Sequence, residues 1–176
     1  MERLILKYQD RIFNVILKIC RNYDDAAELT QDTFVKIIEN IDKFKRQSGF
    51  YTWAFRIAVN LTINRCKRNL KLGISSLDAQ MTQASTESKM LLKDFLADDT
   101  ETEPSQIAQN KELCLILTNA LMKLDENHRA VIVLRDIEGM SYVQISQVLG
   151  IEIGTVKSRI CRARRHLRDI LEALLP

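Results

Sequence analysis

Residues 141–168, SYVQISQVLGIEIGTVKSRICRARRHLR, constrain the fold more than any other stretch of the chain. Ile145, Val148 and Leu149 sit at helical spacing and lead to Gly150, where a residue without Cβ admits the geometry of a tight turn. From Gly154 to Arg168 the chain carries six Lys or Arg residues (Lys157, Arg159, Arg162, Arg164, Arg165, Arg168) and no acid, while Val156, Ile160, Ala163 and Leu167 recur every three or four positions. One face of this second helix can pack, and the other is cationic. Taken alone, a basic amphipathic helix suits a solvated surface, a membrane surface or a calmodulin-like groove equally well. The preceding helix and the glycine turn favour a helix-turn-helix, whose second helix lies in the DNA major groove.

With 46% hydrophobic and 28% charged residues, the 176-residue chain is globular. Five Gly, two Pro and long runs of helical periodicity predict an all-α fold: two small helical domains joined by a flexible linker, the C-terminal one holding the helix-turn-helix. The net charge of +3 hides an uneven distribution, because between Lys43 and Lys71 there are eight Lys or Arg and no Asp or Glu. Two separated cationic surfaces suggest two contacts with one polyanion. Cys20, Cys66, Cys114 and Cys161 are scattered one per expected helix without ligand spacing, which predicts buried or half-buried reduced thiols. His128 and His166 have no catalytic or metal partner nearby in sequence. With no signal peptide and no apolar run of spanning length, a cytoplasmic protein without membrane contact is expected.

Along the chain, Leu4, Ile5, Ile12, Phe13, Val15, Ile16, Leu17 and Ile19 predict a well-buried first helix. Asp25 and Glu28 form a candidate capping box for a helix to about Phe44. Along it Leu29, Phe34, Ile37, Ile38 and Ile41 form the expected packing stripe and Gln31, Asp32, Lys36 and Glu39 the outer face. Five of the eleven aromatic residues, Phe44, Phe50, Tyr51, Trp53 and Phe55, then fall within twelve positions, with a helix break at Ser48 and Gly49. A new helix starts near Thr52 with Ala54, Ile57, Ala58 and Leu61 facing inward. Aromatics interleaved with Lys45, Arg46, Arg56, Arg65, Lys67 and Arg68 suit unpaired nucleic acid, since unstacked bases meet rings while cations hold phosphates. Ordinary core is the competing reading, and for Trp53 the better one. Asn60 and Asn64, one turn apart, offer amides to a base or phosphate, or are simply solvated.

From about Leu72 to Pro104 the chain turns polar and acidic, with seven acids against Lys89 and Lys93 between Ser75 and Pro104, as expected of an interdomain linker. Beyond it, a helix from Pro104 and Ser105 to Leu124, a short one capped by Asp125 or Asn127 and ending near Gly139, and the helix-turn-helix, capped at Ser141, make a four-helix domain.

Three stretches in this order carry a resemblance to a known family. DDAAELTQDTFVKIIENIDKF, FYTWAFRIAVN and LDENHRAVIVLRDIEGMSYVQISQVLGIEIGTVKSRICRAR resemble the polymerase-binding, minus-10 and minus-35 segments of bacterial RNA polymerase sigma factors of the extracytoplasmic-function (ECF) group, sigma-E-like members above all. The resemblance implies a domain at residues 1–71 that binds core polymerase and the minus-10 element, a linker at 72–104, and a minus-35 domain at 105–176. Residue by residue, it places Arg135, Tyr142, Thr155, Lys157, Ser158, Cys161 and Arg162 against minus-35 DNA, with Cys161 standing where relatives can carry an aromatic. Phe44, Phe55, Ile57, Ala58, Asn60 and Asn64 fall at the minus-10 site, with Lys45, Arg46, Gln47, Ser48 and Gly49 as its specificity loop. Gln31, Asp32, Phe34 and Lys36 fall on or beside the helix that meets the β′ clamp helices.

The implied partners are core RNA polymerase through its β′ and β subunits, promoter DNA both paired and melted, and an anti-sigma factor. No cofactor is implied. The chain contains no P-loop, HExxH or nucleophile-elbow motif, so an enzyme is not expected. A conventional helix-turn-helix regulator with a sensing or dimerising N-terminal domain is the rival reading, and it predicts a palindromic operator.

Overall fold

The computed structural model describes residues 2–44, 49–71 and 104–174, so Lys45, Arg46, Gln47, Ser48 and the expected linker before Pro104 lie outside the described residues. Among those described, all regular structure is helical: α1 (Glu2–Cys20), α2 (Tyr23–Asn40) with a 3-10 turn at Ile41–Lys43, α3 (Phe50–Lys71), α4 (Pro104–Lys123), α5 (Glu126–Ile132) continued by a π turn (Val133–Ile137), α6 (Tyr142–Leu149) and α7 (Ile153–Glu172).

Helices α1, α2 and α3 pack against one another. Ile12, Val15, Ile16 and Ile19 recur every three or four residues along α1 and are fully enclosed. On α2 the packing stripe differs from expectation. Ala26, Leu29, Thr30, Thr33 and Ile37 face inward, while Val35 and Ile38 are 52% and 50% exposed. The threonines can be buried because their hydroxyls donate back to the carbonyls of Ala26 (2.7 Å) and Leu29 (2.6 Å), which removes the cost of an unpaired polar group. The start of α2 also differs. Asn22, not an Asp25–Glu28 pair, supplies the cap, its Oδ1 accepting from the Asp25 amide at 2.8 Å. The two carboxylates instead bind Arg65 of α3 (2.7 Å each), so Arg65 fastens two helices and is not a free phosphate-binding cation. That contact holds the Glu28 carboxyl below its ordinary range and pushes the Arg65 guanidinium up.

In the C-terminal half, α7 packs against α4, α5 and α6. Asp125 caps α5, accepting from the amides of Asn127 and His128 at 3.0 Å each. Ser141 and Gln144 cap α6 reciprocally as a capping box. At the other end of α6, Gly150 adopts φ 66°, ψ 35°, and the amides of Gly150 and Ile151 both donate to the Ser146 carbonyl, at 2.8 and 3.2 Å. Left-handed backbone costs any residue with a Cβ about 1–2 kcal/mol. Gly150→Ala should lower the unfolding free energy by that amount in chemical denaturation, and an unchanged midpoint would contradict this view of the turn.

The two helical domains are not separate bodies here. α6 packs on α3, α1 and α3 touch α5, and the buried residues of both halves form one continuous cluster. The cause lies in α3, which buries Thr52, Ala54, Phe55, Ala58, Val59, Thr62 and Ile63, an arc wider than one bundle stripe. One side of that arc meets α1 and α2, leaving another for α6. No described helix is long and apolar enough to cross a membrane.

Candidate nucleic-acid interface

The caps on α6 and the turn at Gly150 fix the start of α7, and therefore the direction of its side chains. Val156, Ile160 and Ala163 are buried, and Thr155, Lys157, Ser158, Cys161 and Arg162 all lie exposed on the opposite side. The structure thus brings five of the seven expected minus-35 residues onto one surface. The other two meet each other: the Arg135 guanidinium donates to the Met140 carbonyl at 2.8 Å and lies 5.0 Å from the centre of the Tyr142 ring. Beside them Asp136 accepts two bonds from Arg164 of α7, which ties the recognition helix to the π turn. Arg164 is therefore a fastening, and the cationic face comprises Lys157, Arg162 and their exposed neighbours Arg165 and Arg168.

The aromatic-rich stretch is mostly packed upon itself. Phe44 lies 5.1 Å from Trp53 and 6.0 Å from Phe50, Phe50 lies 5.8 Å from Trp53, and Tyr8 joins from α1 at 5.7 Å from Phe50. Edge-to-face and tilted ring pairs of this kind add to burial energy. Phe44, Phe50 and Trp53 are half-buried. Phe55 and Ala58 depart from the expectation of a base contact, since both are 0% exposed and offer no atoms to DNA in this arrangement. Their positions, one turn apart on the inner side of α3, place them in the common core. The outer side of the helix carries Arg56, Asn64, Lys67 and Arg68 exposed, with Ile57 and Asn60 half-buried beside them.

On α2, Gln31, Asp32 and Lys36 are exposed and Phe34 is half-buried. Between them lie Val35 and Ile38, two exposed apolar side chains that sequence reasoning misplaced or passed over. Buried threonines at positions 30 and 33 were the available signal, because a helix turned to enclose them must turn residues 35 and 38 outward.

Cys161 is exposed, contrary to the expectation of four sheltered thiols, whereas Cys20 and Cys66 are half-buried and free. The Cys114 side chain lies outside the described residues. Burial pushes the Cys20 thiol up to about 12 and the Cys66 thiol up to about 11. The thiolate is the reactive form, so both raised thiols are slow nucleophiles near neutral pH. Alkylation followed by residue-resolved mass spectrometry should label Cys161 at least about 100-fold faster than either. Comparable rates would mean that the α1–α3 contact opens readily. The rings of His128 and His166 meet edge to face at 6.2 Å, and no group of three or more candidate metal ligands exists among the described residues.

An exposed cationic helix on a capped helix-turn-helix, packed on a second helical bundle with its own basic helix, has the form of a DNA-binding protein. Residues 4–71 match the family described as Sigma-70 region 2 and residues 114–167 match Sigma-70, region 4. The chain belongs to the ECF RNA polymerase sigma factors. It is 35% identical to the ECF RNA polymerase sigma factor SigW of Bacillus subtilis over 95% of this chain and 86% of that one. It is 30% identical to the ECF RNA polymerase sigma-E factor of Haemophilus influenzae, over 98% and 87% of the two chains. Among solved structures, the sigma factor RpoE of Bartonella quintana in complex with the anti-sigma factor NepR has the same fold, with a TM-score of 0.67 at 23% identity over 97% of this chain and 96% of that one. CnrH in complex with the cytosolic domain of CnrY has a TM-score of 0.61 at 24% identity, over 98% and 87%.

Proposed function

We propose that this sigma factor binds core RNA polymerase, directs it to promoters through minus-35 and minus-10 contacts, and favours their melting. The observation that carries the reading is the single exposed surface formed by Thr155, Lys157, Ser158, Cys161 and Arg162. Its cations hold phosphates while the shorter side chains at the start of α7 reach base edges in the major groove. Arg135 and Tyr142 flank this surface at the entry to α6. The functional division runs 1–71, 72–104 and 105–176.

The N-terminal domain takes unpaired bases with the outer side of α3 (Ile57, Asn60, Asn64), with Phe44, and with the loop of Lys45, Arg46, Gln47, Ser48 and Gly49. Binding bases that have left the stack shifts the equilibrium toward melted promoter. The work is done by differential binding, with no bond made or broken by this chain. Polymerase docks on α2. Gln31, Asp32 and Lys36 form a polar rim about the exposed Val35 and Ile38, with half-buried Phe34 beside them, an arrangement of the kind that protein interfaces use. The β′ clamp helices are the proposed occupant of this face, with the β subunit receiving the C-terminal domain. An anti-sigma factor is a further proposed partner, since the two solved neighbours named above are complexes with a second protein. The protein works in the cytoplasm, where polymerase and chromosome meet.

The test is transcription in a purified system with core polymerase and a promoter library. Promoter-specific initiation that requires this chain supports the reading. Tight binding to a palindromic operator with no polymerase contact would instead support a conventional regulator. Val35→Ser with Ile38→Ser should weaken binding to core polymerase by about 10-fold, the effect of desolvated apolar contacts at an interface centre. Unchanged affinity would remove α2 from the proposed interface.

A further inference from the structure

Two arginines converge on one backbone oxygen where the end of α1 meets the α4–α5 junction. The Leu124 carbonyl accepts from Arg21 Nη2 at 2.6 Å and from Arg129 Nη2 of α5 at 3.2 Å. Leu124 follows Lys123, the last residue of α4, so its oxygen lies at the negative end of that helix and attracts cations. Capping the helix occupies one nitrogen of each guanidinium and no more. Arg129 is only 5% exposed, and its Nε and Nη1 are buried without an acceptor among the described residues, as is Arg21 Nε.

A guanidinium carries five N–H donors and is rarely enclosed unless they are met. Here two enclosed positive charges share one neutral oxygen, and burial holds the Arg21 guanidinium below its ordinary range. Glu126, in the first turn of α5, lies within electrostatic reach of Arg21 but accepts instead from Asn127 Nδ2 at 3.3 Å. The backbone adds to the cost. Arg21 closes α1 at φ 68°, its amide donating to the Leu17 carbonyl at 3.0 Å, in the left-handed position that glycine usually fills. Arginine bears a strain there that glycine would not.

We propose that Arg21 and Arg129 form a binding site for a small tetrahedral oxyanion of the phosphate class, which accepts from Arg21 Nε and from Arg129 Nε and Nη1. A doubly charged ion with four oxygens answers both the charge and the unmet donors, and guanidinium is the side chain best suited to it. Enclosure decides the source of the phosphate. Arg129 is too deeply buried for the backbone of a nucleic acid, so the ligand is the free ion. Arg21 is half-buried and marks the side nearer solvent. A bound ion bridges the end of α1 to α5 and stabilises the molecule by mass action. The site is separate from the cationic side of α7 and does not depend on the promoter reading.

The experiment is thermal unfolding of the full-length protein with inorganic phosphate added at constant ionic strength, paired with isothermal titration calorimetry. Tm should rise along a saturating curve, by about 5 °C or more at a hundredfold excess over Kd, with one ion bound per chain. The stabilisation that phosphate gives any protein through exclusion from its surface does not saturate, which separates the two effects. Arg129→Met should abolish both the saturating rise and the heat of binding. Arg21→Gly removes one donor group and relieves the left-handed backbone, so it should fold at least as stably without phosphate yet bind the ion about 10-fold more weakly. It covers the case in which Arg129→Met fails to fold. A wild-type response that does not saturate, or phosphate binding unchanged in Arg21→Gly, would overturn the site. A saturating response that both variants keep would place the ion on the exposed basic faces of α3 and α7 and overturn it equally.

Discussion

Phe55→Ala should lower the unfolding free energy by about 3–5 kcal/mol, the range for truncating an enclosed phenylalanine. The ring is 0% exposed, packs 4.2 Å from the centre of Tyr51, and belongs to the cluster of buried residues that runs through both halves. Removing it leaves a cavity in α3, the helix that α1, α2 and α6 all touch, so neighbours have little freedom to collapse into it. A base-holding ring on the surface would behave differently, because surface substitutions mostly stay within about 0.5 kcal/mol. Urea denaturation followed by circular dichroism separates the two. A loss below about 1 kcal/mol at constant slope would restore Phe55 to the promoter contacts and contradict its place in the core.

The largest functional effect is expected at the recognition helix. Lys157→Glu or Arg162→Glu should weaken minus-35 recognition by about 100-fold, while binding to core polymerase stays intact. Both side chains stand on the exposed side of α7, opposite Val156, Ile160 and Ala163, so charge reversal disturbs no packing. Their roles are separable by salt. A residue that holds a phosphate weakens all sequences alike and lowers the salt slope by about one, whereas a base contact relaxes preference at one position. Loss of polymerase binding in either variant would contradict the proposed division of labour between α2 and α7.

Much of the architecture was legible because it depends on neighbours in the chain. Ser141, Gln144 and Gly150 make and end α6 through bonds spanning a few residues, and the alternation of Val156, Ile160 and Ala163 with cations sets the exposed side of α7 wherever the helix docks. The exposed cationic side of α7 needed little more. The N-terminal expectations fared less evenly, for a physical reason. Threonine reads as polar in a pattern, yet Thr30 and Thr33 bury their methyl groups once their hydroxyls are paired within α2, which rotates the whole stripe. A nearby acid can suggest a cap, yet Asp25 and Glu28 answer to an arginine forty and thirty-seven positions away.

Periodicity, capping chemistry and charge runs, all local in the chain, were sufficient for the seven α-helices among the described residues, the helix-turn-helix and the cationic face of α7. What they could not contain is the partner of each surface. Phe55 is aromatic and inward-facing on any docking of α3, but whether its neighbours are bases or α6 depends on contacts between residues far apart in sequence. Glu138 likewise carries no local sign that its carboxylate meets Arg11 and Tyr51, positions 127 and 87 residues away. Such contacts form only after the chain has lost most of its conformational freedom, when burial decides which polar groups must find each other. The contact of α6 with α3 is therefore decided by packing, not by either helix alone.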